Sequence, residues 1–273
     1  ALMNYTRLGC QSCGSIDHIH IEHDGSGLTC QTETVTIHAC ADANCLNNYS
    51  DEVTVNLTSP VSGWSPNPVT FSGGAVTVEL RNTSAGTVIL DAEATSPTAN
   101  DRICINLSGG PDCAMVFTDV GVLIDGDDSD ANPESAVVAQ IAGKLSNASP
   151  PGTSLQQRVR VVRTDDQTGA CVAAVGNETI DAVFRYLVPT STEGLNDNAV
   201  TVTGSSGADL TAVGSSAIVP LAFDVNGTAP FHFVSADAGR YSLQVDLEIP
   251  VVDVDDNPTG EIILVSDISN QFV

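Results

Sequence analysis

The sequence has few basic residues, few aromatic residues and no long apolar run. Nine lysines and arginines stand against 34 aspartates and glutamates, which gives a formal net charge of −25 at pH 7. A chain this acidic repels phosphate groups, so we expect no nucleic-acid partner and no attachment to an anionic membrane surface. No stretch reaches the roughly 18 consecutive apolar residues of a membrane-spanning helix. We therefore expect no membrane insertion in this segment.

Motifs of the common catalytic sites are also missing. The chain contains no Gly-x-Ser-x-Gly, no His-Glu-x-x-His, no phosphate-binding P-loop and no Gly-x-Gly-x-x-Gly after a strand. Carboxylate pairs are abundant, but among so many acidic residues their spacing carries no information about acid–base chemistry. We therefore assign no catalytic residue and expect that the protein is not an enzyme.

The residues that are present favour β-structure. Hydrophobic residues make up 42% of the chain, and they occur in short β-branched runs rather than at helical spacing. Glycine, proline and asparagine clusters separate these runs, as they do between the strands of a sandwich or barrel. The pattern predicts an all-β protein. Apolar and polar residues alternate within 18–22, 34–38, 53–57, 75–80, 103–107, 158–161 and 241–247.

An internal repeat indicates two tandem immunoglobulin-like β-sandwich domains. The segment GAVTVELRNTSAGTVIL, which begins at Gly74, aligns without a gap on GTAPFHFVSADAGRYSL, which begins at Gly227. In the second copy, Asp237-Ala-Gly-Arg-Tyr241 resembles the tyrosine corner of immunoglobulin-like domains. We expect the domain boundary where a strand runs into an acidic, proline-containing stretch. The expected divisions are 1–15 as the tail of a preceding domain or linker, 16–120 as a sandwich with disulfides, and 121–273 as a second sandwich.

Eight cysteines in an acidic, lysine-poor chain indicate an oxidising compartment. Cys40 and Cys45 bracket a tight turn, and Cys104 and Cys113 bracket the short loop INLSGGPD. A disulfide can close either loop at the end of a strand, so these two pairs are predicted. Eight cysteines allow about 105 connectivities, so no pairing is predicted for the other four, and one alternative leaves the distant Cys171 unpaired. These four are Cys10, Cys13, Cys30 and Cys171.

The histidines near the amino end raise the alternative of a metal site. On a strand, His18 and His20 share one face, and His38 lies on the polar face of the next strand. Zinc accepts imidazole nitrogen and cysteine sulfur, and Cys10, Cys13, His18 and His20 have the order of a Cys₂His₂ finger. Only four residues separate Cys13 from His18, against about a dozen in such a finger. We therefore favour exposed strand histidines and disulfides, with a metallo-hydrolase of the three histidines as a further alternative.

Two acidic clusters offer the oxygen ligands that calcium prefers. Asp128, Asp130 and Asn132 mimic the first half of an EF-hand loop, but Pro133 replaces the glycine that this loop requires. The alternative is a solvated acidic loop. The sequence requires no cofactor, and calcium is the candidate for these two clusters. Its candidate ligands are Asp125, Asp127, Asp128 and Asp130 in one cluster and Asp253, Asp255 and Asp256 in the other.

Trp64, the single tryptophan of the chain, lies in the turn-like segment SGWSPNP. A tryptophan in a loop is able to stack on a sugar ring, and it is also able to plug a core by packing. Trp64 is therefore the candidate ligand-binding residue if the protein binds carbohydrate, with packing as the alternative role.

Several stretches resemble the MshQ-like family of bacterial surface proteins, which is encoded with the mannose-sensitive haemagglutinin type IV pilus. DHIHIEHDGSGLTCQTETVTIHACADANC and LRNTSAGTVILDAEATSPTANDRICINLSGGPDCAMVFTDVG resemble its sandwich segment. QIAGKLS, RVVRTDDQTGACVAAV, AFDVNGTAPFHFVSADAGRYSL and SNQFV are similar to its C-terminal domain of unknown function. The resemblance implies export, display on the outer surface of a Gram-negative cell, and association with pili or adhesion.

The sequence and the resemblance together favour a non-enzymatic, extracellular structural or adhesion module of a cell-surface or pilus-associated protein. The partners expected for it are other domains of a longer surface protein, together with pilus or filament subunits or glycans. The alternative function is a calcium-assisted, carbohydrate-binding β-sandwich domain of an adhesin.

Overall fold

The part of the chain that the structure describes is all-β, as predicted. The computed structural model describes residues 15–60, 62–99, 101–107, 110–126, 137, 145, 157–188, 200–212, 214–235, 241–252 and 258–268. Every regular element within these ranges is a strand. No helix in the same ranges has the length and apolar character needed to cross a bilayer. The chain divides into two compact units, Ala1–Asp119 and Val120–Val273.

The first unit packs one five-stranded sheet and two three-stranded sheets around an apolar core. The five-stranded sheet has the order β10-β1-β3-β7-β5, and the smaller sheets have the orders β2-β11-β8 and β6-β4-β9. The strands are β1 (His18–His23), β2 (Ser26–Leu28), β3 (Thr32–Cys40), β4 (Val53–Ser59), β5 (Trp64–Ser65), β6 (Val69–Phe71), β7 (Ala75–Arg81), β8 (Gly86–Ile89), β9 (Asp91–Ser96), β10 (Asp101–Asn106) and β11 (Ala114–Thr118).

The alternation of the sequence sets which face of each strand is buried. Ile19 and Ile21 on β1 and Ile37 on β3 have no exposed surface, and they belong to the same core as Val55 on β4 and Phe117 on β11. Because successive side chains of a strand point to opposite faces, the residues between these apolar positions lie on the outer face of the sheet. His18 and His20 of β1 and His38 of β3 are placed by this rule.

Two parallel pairings join the start of the first unit to its end. β1 runs parallel to β10, with partners from His18↔Asp101 to His23↔Asn106. β2 runs parallel to β11, with partners from Ser26↔Val116 to Leu28↔Thr118. β1 and β3 are antiparallel neighbours. The amino-terminal strands of this unit are thus hydrogen-bonded directly to its last strands.

The second unit has the same general construction, with sheets β18-β15-β21-β22, β17-β16-β20 and β12-β13-β14, the last joined by β19. Its core includes Phe184 and Phe231, whose ring centroids are 5.3 Å apart. The strands are β12 (Val120–Asp125), β13 (Arg158–Thr164), β14 (Cys171–Ala173), β15 (Glu178–Val188), β16 (Val200–Thr203), β17 (Gly207–Leu210), β18 (Ser216–Phe223), β19 (Thr228–Pro230), β20 (His232–Ser235), β21 (Ser242–Val252) and β22 (Pro258–Ile268).

Tyr241, compared above with a tyrosine corner, is buried in the core of the second unit. The hydroxyl of Ser235, six residues upstream, donates a hydrogen bond to the hydroxyl oxygen of Tyr241. A buried tyrosine is stable when its polar tip finds such a partner. Tyr241 therefore ties β21 back to the end of β20.

Candidate functional site

One group of potential metal ligands stands out among the described residues, at the first strand of the first unit. It consists of His18, His20, Cys40 and Cys45, and one ligand atom from each lies within 4.8 Å of the others. His18 and His20 share a face because they are two residues apart on β1. Cys40, at the end of β3, is the register partner of His18, and Cys45 comes from the following loop. We call these four residues the His–Cys cluster.

The ring of His18 is buried and has a fixed orientation. Its exposed fraction is 2%, and its Nδ1 lies 2.9 Å from Oδ1 of Asp17. A carboxylate only accepts hydrogen bonds, so Nδ1–H of His18 is the donor, and Nε2 is the ring nitrogen that this hydrogen bond leaves available. This arrangement, a carboxylate behind an imidazole, is the one that orients histidine ligands in metal sites.

His20 lies beside His18 and is half-buried. Its Nε2 atom is buried and makes no hydrogen bond within the described residues. The ring centroids of His18 and His20 are 6.4 Å apart, and those of His20 and His38 are 5.5 Å apart. Burial lowers the pKa of His20, and the neighbouring His38 lowers it further, while Glu22 acts in the opposite direction. His20 is therefore held in the neutral form that donates a lone pair.

His38 faces His20 across the β1–β3 pair but lies outside the His–Cys cluster. Its Nε2 is 3.8 Å from Oε2 of Glu22. The sequence predicted three neighbouring histidines on an exposed sheet surface, and the structure does place the three rings in a row. The expectation that they are exposed is wrong for His18, because the loop that carries Cys45 lies against it. His20 and His38 are half-buried.

The loop after β3 is held together by the carboxylate of Asp42. Its oxygens accept hydrogen bonds from the backbone N–H groups of Asn44 at 3.1 Å, Leu46 at 3.1 Å and Asn47 at 2.8 Å. The side-chain amide of Asn47 adds a further bond at 2.9 Å. These bonds lower the pKa of Asp42, with the Asn47 side chain as the largest cause. The loop that presents Cys45 thus has its own hydrogen-bonded frame.

Two disulfides close short loops of the first unit. Cys40 is bonded to Cys45 with a Cα–Cα distance of 4.9 Å, and Cys104 is bonded to Cys113 with a Cα–Cα distance of 5.0 Å. Both disulfides join the cysteine pairs predicted from the sequence. Cys30 and Cys171 are also disulfide-bonded, so the alternative of an unpaired Cys171 is wrong. Cys10 and Cys13 lie outside the described residues.

Asp125, a candidate calcium ligand, is a buried residue at the end of β12 rather than part of an open loop. It has no exposed surface. Its Oδ2 lies 3.5 Å from Nη2 of Arg158 and 3.6 Å from Nη1 of Arg160, both on β13. Two guanidinium groups already balance this carboxylate, which favours an ion-pair role. The other candidate ligands, Asp127, Asp128, Asp130, Asp253, Asp255 and Asp256, lie outside the described residues.

Trp64 is a core residue of the first unit. It forms β5, pairs with Leu80 of β7, and has 9% of its surface exposed. This burial favours the packing role over a sugar platform.

A separate polar depression of about 310 Å³ is lined by Asp91, Asp101 and Arg102 among others. Its carboxylates disfavour an anionic ligand.

Comparison with solved structures gives only weak likenesses. The D0-D1 domain of intimin is 15% identical over 94% of this chain and 98% of its own, with a TM-score of 0.30. The adhesin InvE of Yersinia pseudotuberculosis is 16% identical over 93% of this chain and 58% of its own, with a TM-score of 0.24. CfaE, the adhesive subunit of the CFA/I fimbria of enterotoxigenic Escherichia coli, is 9% identical over 93% and 86%, with a TM-score of 0.23. Likenesses this low assign no function or partner.

Two family models match successive parts of the sequence, and their border differs from that of the compact units. Residues 16–98 match a domain of unknown function (DUF8613), and the second match begins at residue 101. β10 and β11 therefore belong to the second match, although they pair with β1 and β2 of the first unit. We assign both strands to the first unit, because the hydrogen-bonded register determines which core they complete.

No curated protein matches the sequence. The second family model covers residues 101–262, which is more than half of the chain. Its description as an Ig-like domain agrees with the all-β architecture. The chain therefore belongs to the family described as domain of unknown function (DUF6701), first Ig-like domain.

Proposed function

We propose that the chain is a non-enzymatic, extracellular module of a bacterial surface protein that spaces or presents an adhesive element under tension. The observation that carries this proposal is the parallel pairing of β1 with β10 and of β2 with β11. Tension that enters the first unit at β1 and leaves it after β11 loads both pairs. We refer to these two parallel pairs as the terminal clamp.

The terminal clamp resists tension because of its direction. When paired strands run parallel and their opposite ends are pulled, the hydrogen bonds between them are loaded in shear and must break together. Six residue pairs join β1 to β10, and three join β2 to β11. Pairs that are pulled apart from one end break one at a time and need less force. A clamp between the first and last strands is therefore useful to a module that transmits force.

The disulfides and the charge support a location outside the cell. Disulfides persist in oxidising compartments such as the periplasm and the cell surface. The Cys104–Cys113 disulfide spans the loop from β10 to β11, so it staples the two carboxyl-side strands of the terminal clamp together. The net charge of −25 keeps the module soluble and repels it from an anionic envelope. The finer assignment to MshQ-like, pilus-associated proteins rests on the sequence resemblance alone.

The partners that fit this role are other domains of a longer surface protein, with pilus or filament subunits or glycans as the further candidates. A division into sandwiches at 16–120 and 121–273 is part of the same proposal. The carbohydrate-binding alternative loses its main candidate residue, because Trp64 is buried in the core. Calcium binding by the acidic segments remains a proposal. Calorimetric melting curves recorded in calcium and in chelator test it, and identical curves would contradict calcium binding.

Single-molecule force spectroscopy tests the terminal clamp. The full chain with Cys30→Ser and Cys171→Ser is pulled through its two ends, because the disulfides of these two cysteines would carry the load around the clamp. In this variant the pull loads the clamp in shear. The control uses the same sequence pulled between its amino end and a handle at Ala43, in the exposed loop after β3. That geometry opens the antiparallel β1–β3 pair from one end. We expect a severalfold higher unfolding force for the first geometry, and equal forces would refute the clamp.

A cell-based experiment tests the role itself. Residues 16–273 of the longer native protein are replaced by a flexible glycine–serine linker, while surface display is monitored with a tag. We expect adhesion of the cells to fall although display is unchanged, because a flexible linker does not hold the adhesive element away from the envelope. Unchanged adhesion would contradict a spacer role.

A further inference from the structure

The His–Cys cluster brings two imidazoles and two sulfurs within the span of one tetrahedral metal site. One ligand atom from each of His18, His20, Cys40 and Cys45 lies within 4.8 Å of the others. Ligand atoms on one zinc ion are about 3.3 to 3.8 Å apart, because zinc–nitrogen and zinc–sulfur bonds are about 2.0 and 2.3 Å long. We propose that reduction of the Cys40–Cys45 disulfide converts this cluster into a Cys₂His₂ site for zinc(II).

The conversion needs a two-electron reductant, and a dithiol or a phosphine supplies it. Two electrons and two protons turn the sulfur–sulfur bond into two thiols. The dithiol becomes a disulfide, or the phosphine takes an oxygen atom from water and becomes a phosphine oxide. Zinc then displaces both thiol protons, and each imidazole gives a lone pair. Two thiolates on a divalent ion leave the site without net charge.

The exposed end of the disulfide admits the reductant. Cys40 is buried, whereas Cys45 is only half-buried and lies in a surface loop. An external thiolate or phosphine therefore attacks the sulfur of Cys45, since exchange depends on access to the sulfur. Cys45 also has a backbone φ of 51°, a left-handed conformation that a residue other than glycine adopts only where the surrounding structure imposes it.

The ligands keep their places without the disulfide. The Asp42 carboxylate holds the loop through four hydrogen bonds. Backbone bonds from Ala41 N to Asn47 O and from Tyr49 N to Ala39 O, both 2.8 Å long, close the base of the loop. Reduction therefore frees two sulfurs that stay near the imidazoles. The two sulfurs then move apart to the spacing of separate zinc ligands, and a short approach of the loop toward β1 completes the set.

The imidazoles have the surroundings of metal ligands. Asp17 accepts a hydrogen bond from Nδ1–H of His18 and directs the lone pair of its Nε2 away from itself. The Nε2 atom of His20 is buried and has no hydrogen-bond partner within the described residues. A buried polar atom without a partner is costly, and coordination to zinc would satisfy it. Two sulfur and two nitrogen donors in tetrahedral positions select zinc over calcium or magnesium.

Cobalt(II) is the optical probe for this site, because tetrahedral cobalt bound to thiolates absorbs visible light strongly. The full chain is titrated anaerobically with cobalt, with and without prior phosphine treatment, and zinc is then added. We expect the absorption to appear only after reduction, to saturate at one equivalent, and to vanish on addition of zinc. Absence of the absorption after reduction, or equal binding by the untreated chain, would overturn the proposal.

Variants assign the ligands. His20→Ala and Cys45→Ser should each abolish the cobalt absorption, and circular dichroism checks that the β-structure is retained. His38→Ala is the matched control, because His38 lies on the same face but outside the cluster, and it should retain the absorption. Asp17→Asn should weaken cobalt binding by about 10- to 100-fold, the effect typical of a group behind a histidine ligand. Absorption that survives both ligand variants, or is lost with His38→Ala, would contradict the assignment.

Four of the six remaining cysteines supply the last control, since reduction also opens the other disulfides. The double variants Cys10→Ser with Cys13→Ser and Cys104→Ser with Cys113→Ser should both keep the cobalt absorption after reduction. Loss in either double variant would place the metal elsewhere and overturn the proposal.

Discussion

Substitution of Asp125 by asparagine isolates the buried ion pairs of the second unit. The side chain keeps its shape but loses its charge. The carboxylate of Asp125 has no exposed surface, and the side chains of Arg158 and Arg160 are each 15% exposed. All three groups therefore lie where water screens their charges poorly. We expect a large loss of stability that does not depend on calcium.

The distances set the size of the effect. At an effective dielectric constant of about 20, unit charges about 3.5 Å apart attract each other by about 5 kcal/mol. The cost of desolvating all three groups offsets most of this gain, so the net value of the intact cluster is small. Removing one partner is different, because the arginines stay buried without the carboxylate charge that they face, and this costs about 3 to 5 kcal/mol. For a unit of this size the melting temperature should fall by about 6 to 20 °C.

Urea denaturation and calorimetry of the full chain measure this loss. Asp91→Asn is the control, because Oδ1 of Asp91 is only 2.7 Å from Nε of Arg102 although the two side chains are 35% and 43% exposed. That substitution should cost less than about 1 kcal/mol, so burial rather than distance decides the outcome. A loss below about 1 kcal/mol for Asp125→Asn would refute the reasoning. A loss seen only in the presence of calcium would instead make Asp125 a calcium ligand.

Three further predictions concern a turn, a disulfide and a histidine. Gly227→Ala should destabilise the second unit by about 1 to 3 kcal/mol more than Gly214→Ala, as measured by urea denaturation. Both glycines have a positive φ, but only at Gly227 would a Cβ clash, since it would lie 2.6 Å from a carbonyl oxygen of β13. Replacing Cys104 and Cys113 by serine should lower stability by about 2 to 3 kcal/mol, the entropy of closing so short a loop, as measured by chemical denaturation. The first unit should lose stability as the pH falls below 6.5, because the unfolded chain protonates His20 at that ordinary value while the folded chain, with its lowered pKa, does so only at lower pH. In His20→Gln the urea midpoint should change less with pH over this range, and an unchanged pH dependence would contradict the role of His20.

The strands and the fold class could be predicted from the sequence because they depend on a local period. Alternation over 18–22 and 34–38 places Ile19, Ile21 and Ile37 on one face, and all three are fully buried. The immunoglobulin-like architecture expected from the repeat is confirmed by the family to which the chain belongs. The loops closed by Cys40–Cys45 and Cys104–Cys113 are short, so their geometry is also set by nearby residues.

The candidate sites were harder to predict because they depend on which strands become neighbours. The sequence grouped Asp125 with the acidic residues that follow it, but the register of β12 against β13 places it opposite Arg158. It also placed Trp64 in a turn, and the β5–β7 pairing draws that side chain into the core. In the His–Cys cluster, His18 and His20 lie near Cys45, although Cys13 is much closer to them along the chain. No local pattern encodes these contacts.

Composition and local pattern are enough to specify the β-structure, the net acidic charge and the short disulfide loops, since each follows from composition or from residues within one turn or strand. The folded chain is needed to see that β10 lies parallel to β1, that two arginines face Asp125, and that a loop lies against His18. Those arrangements join residues that are far apart in the chain. Their stability comes from the burial of shared apolar surface and from strand register, which the order of residues does not show until the strands are paired.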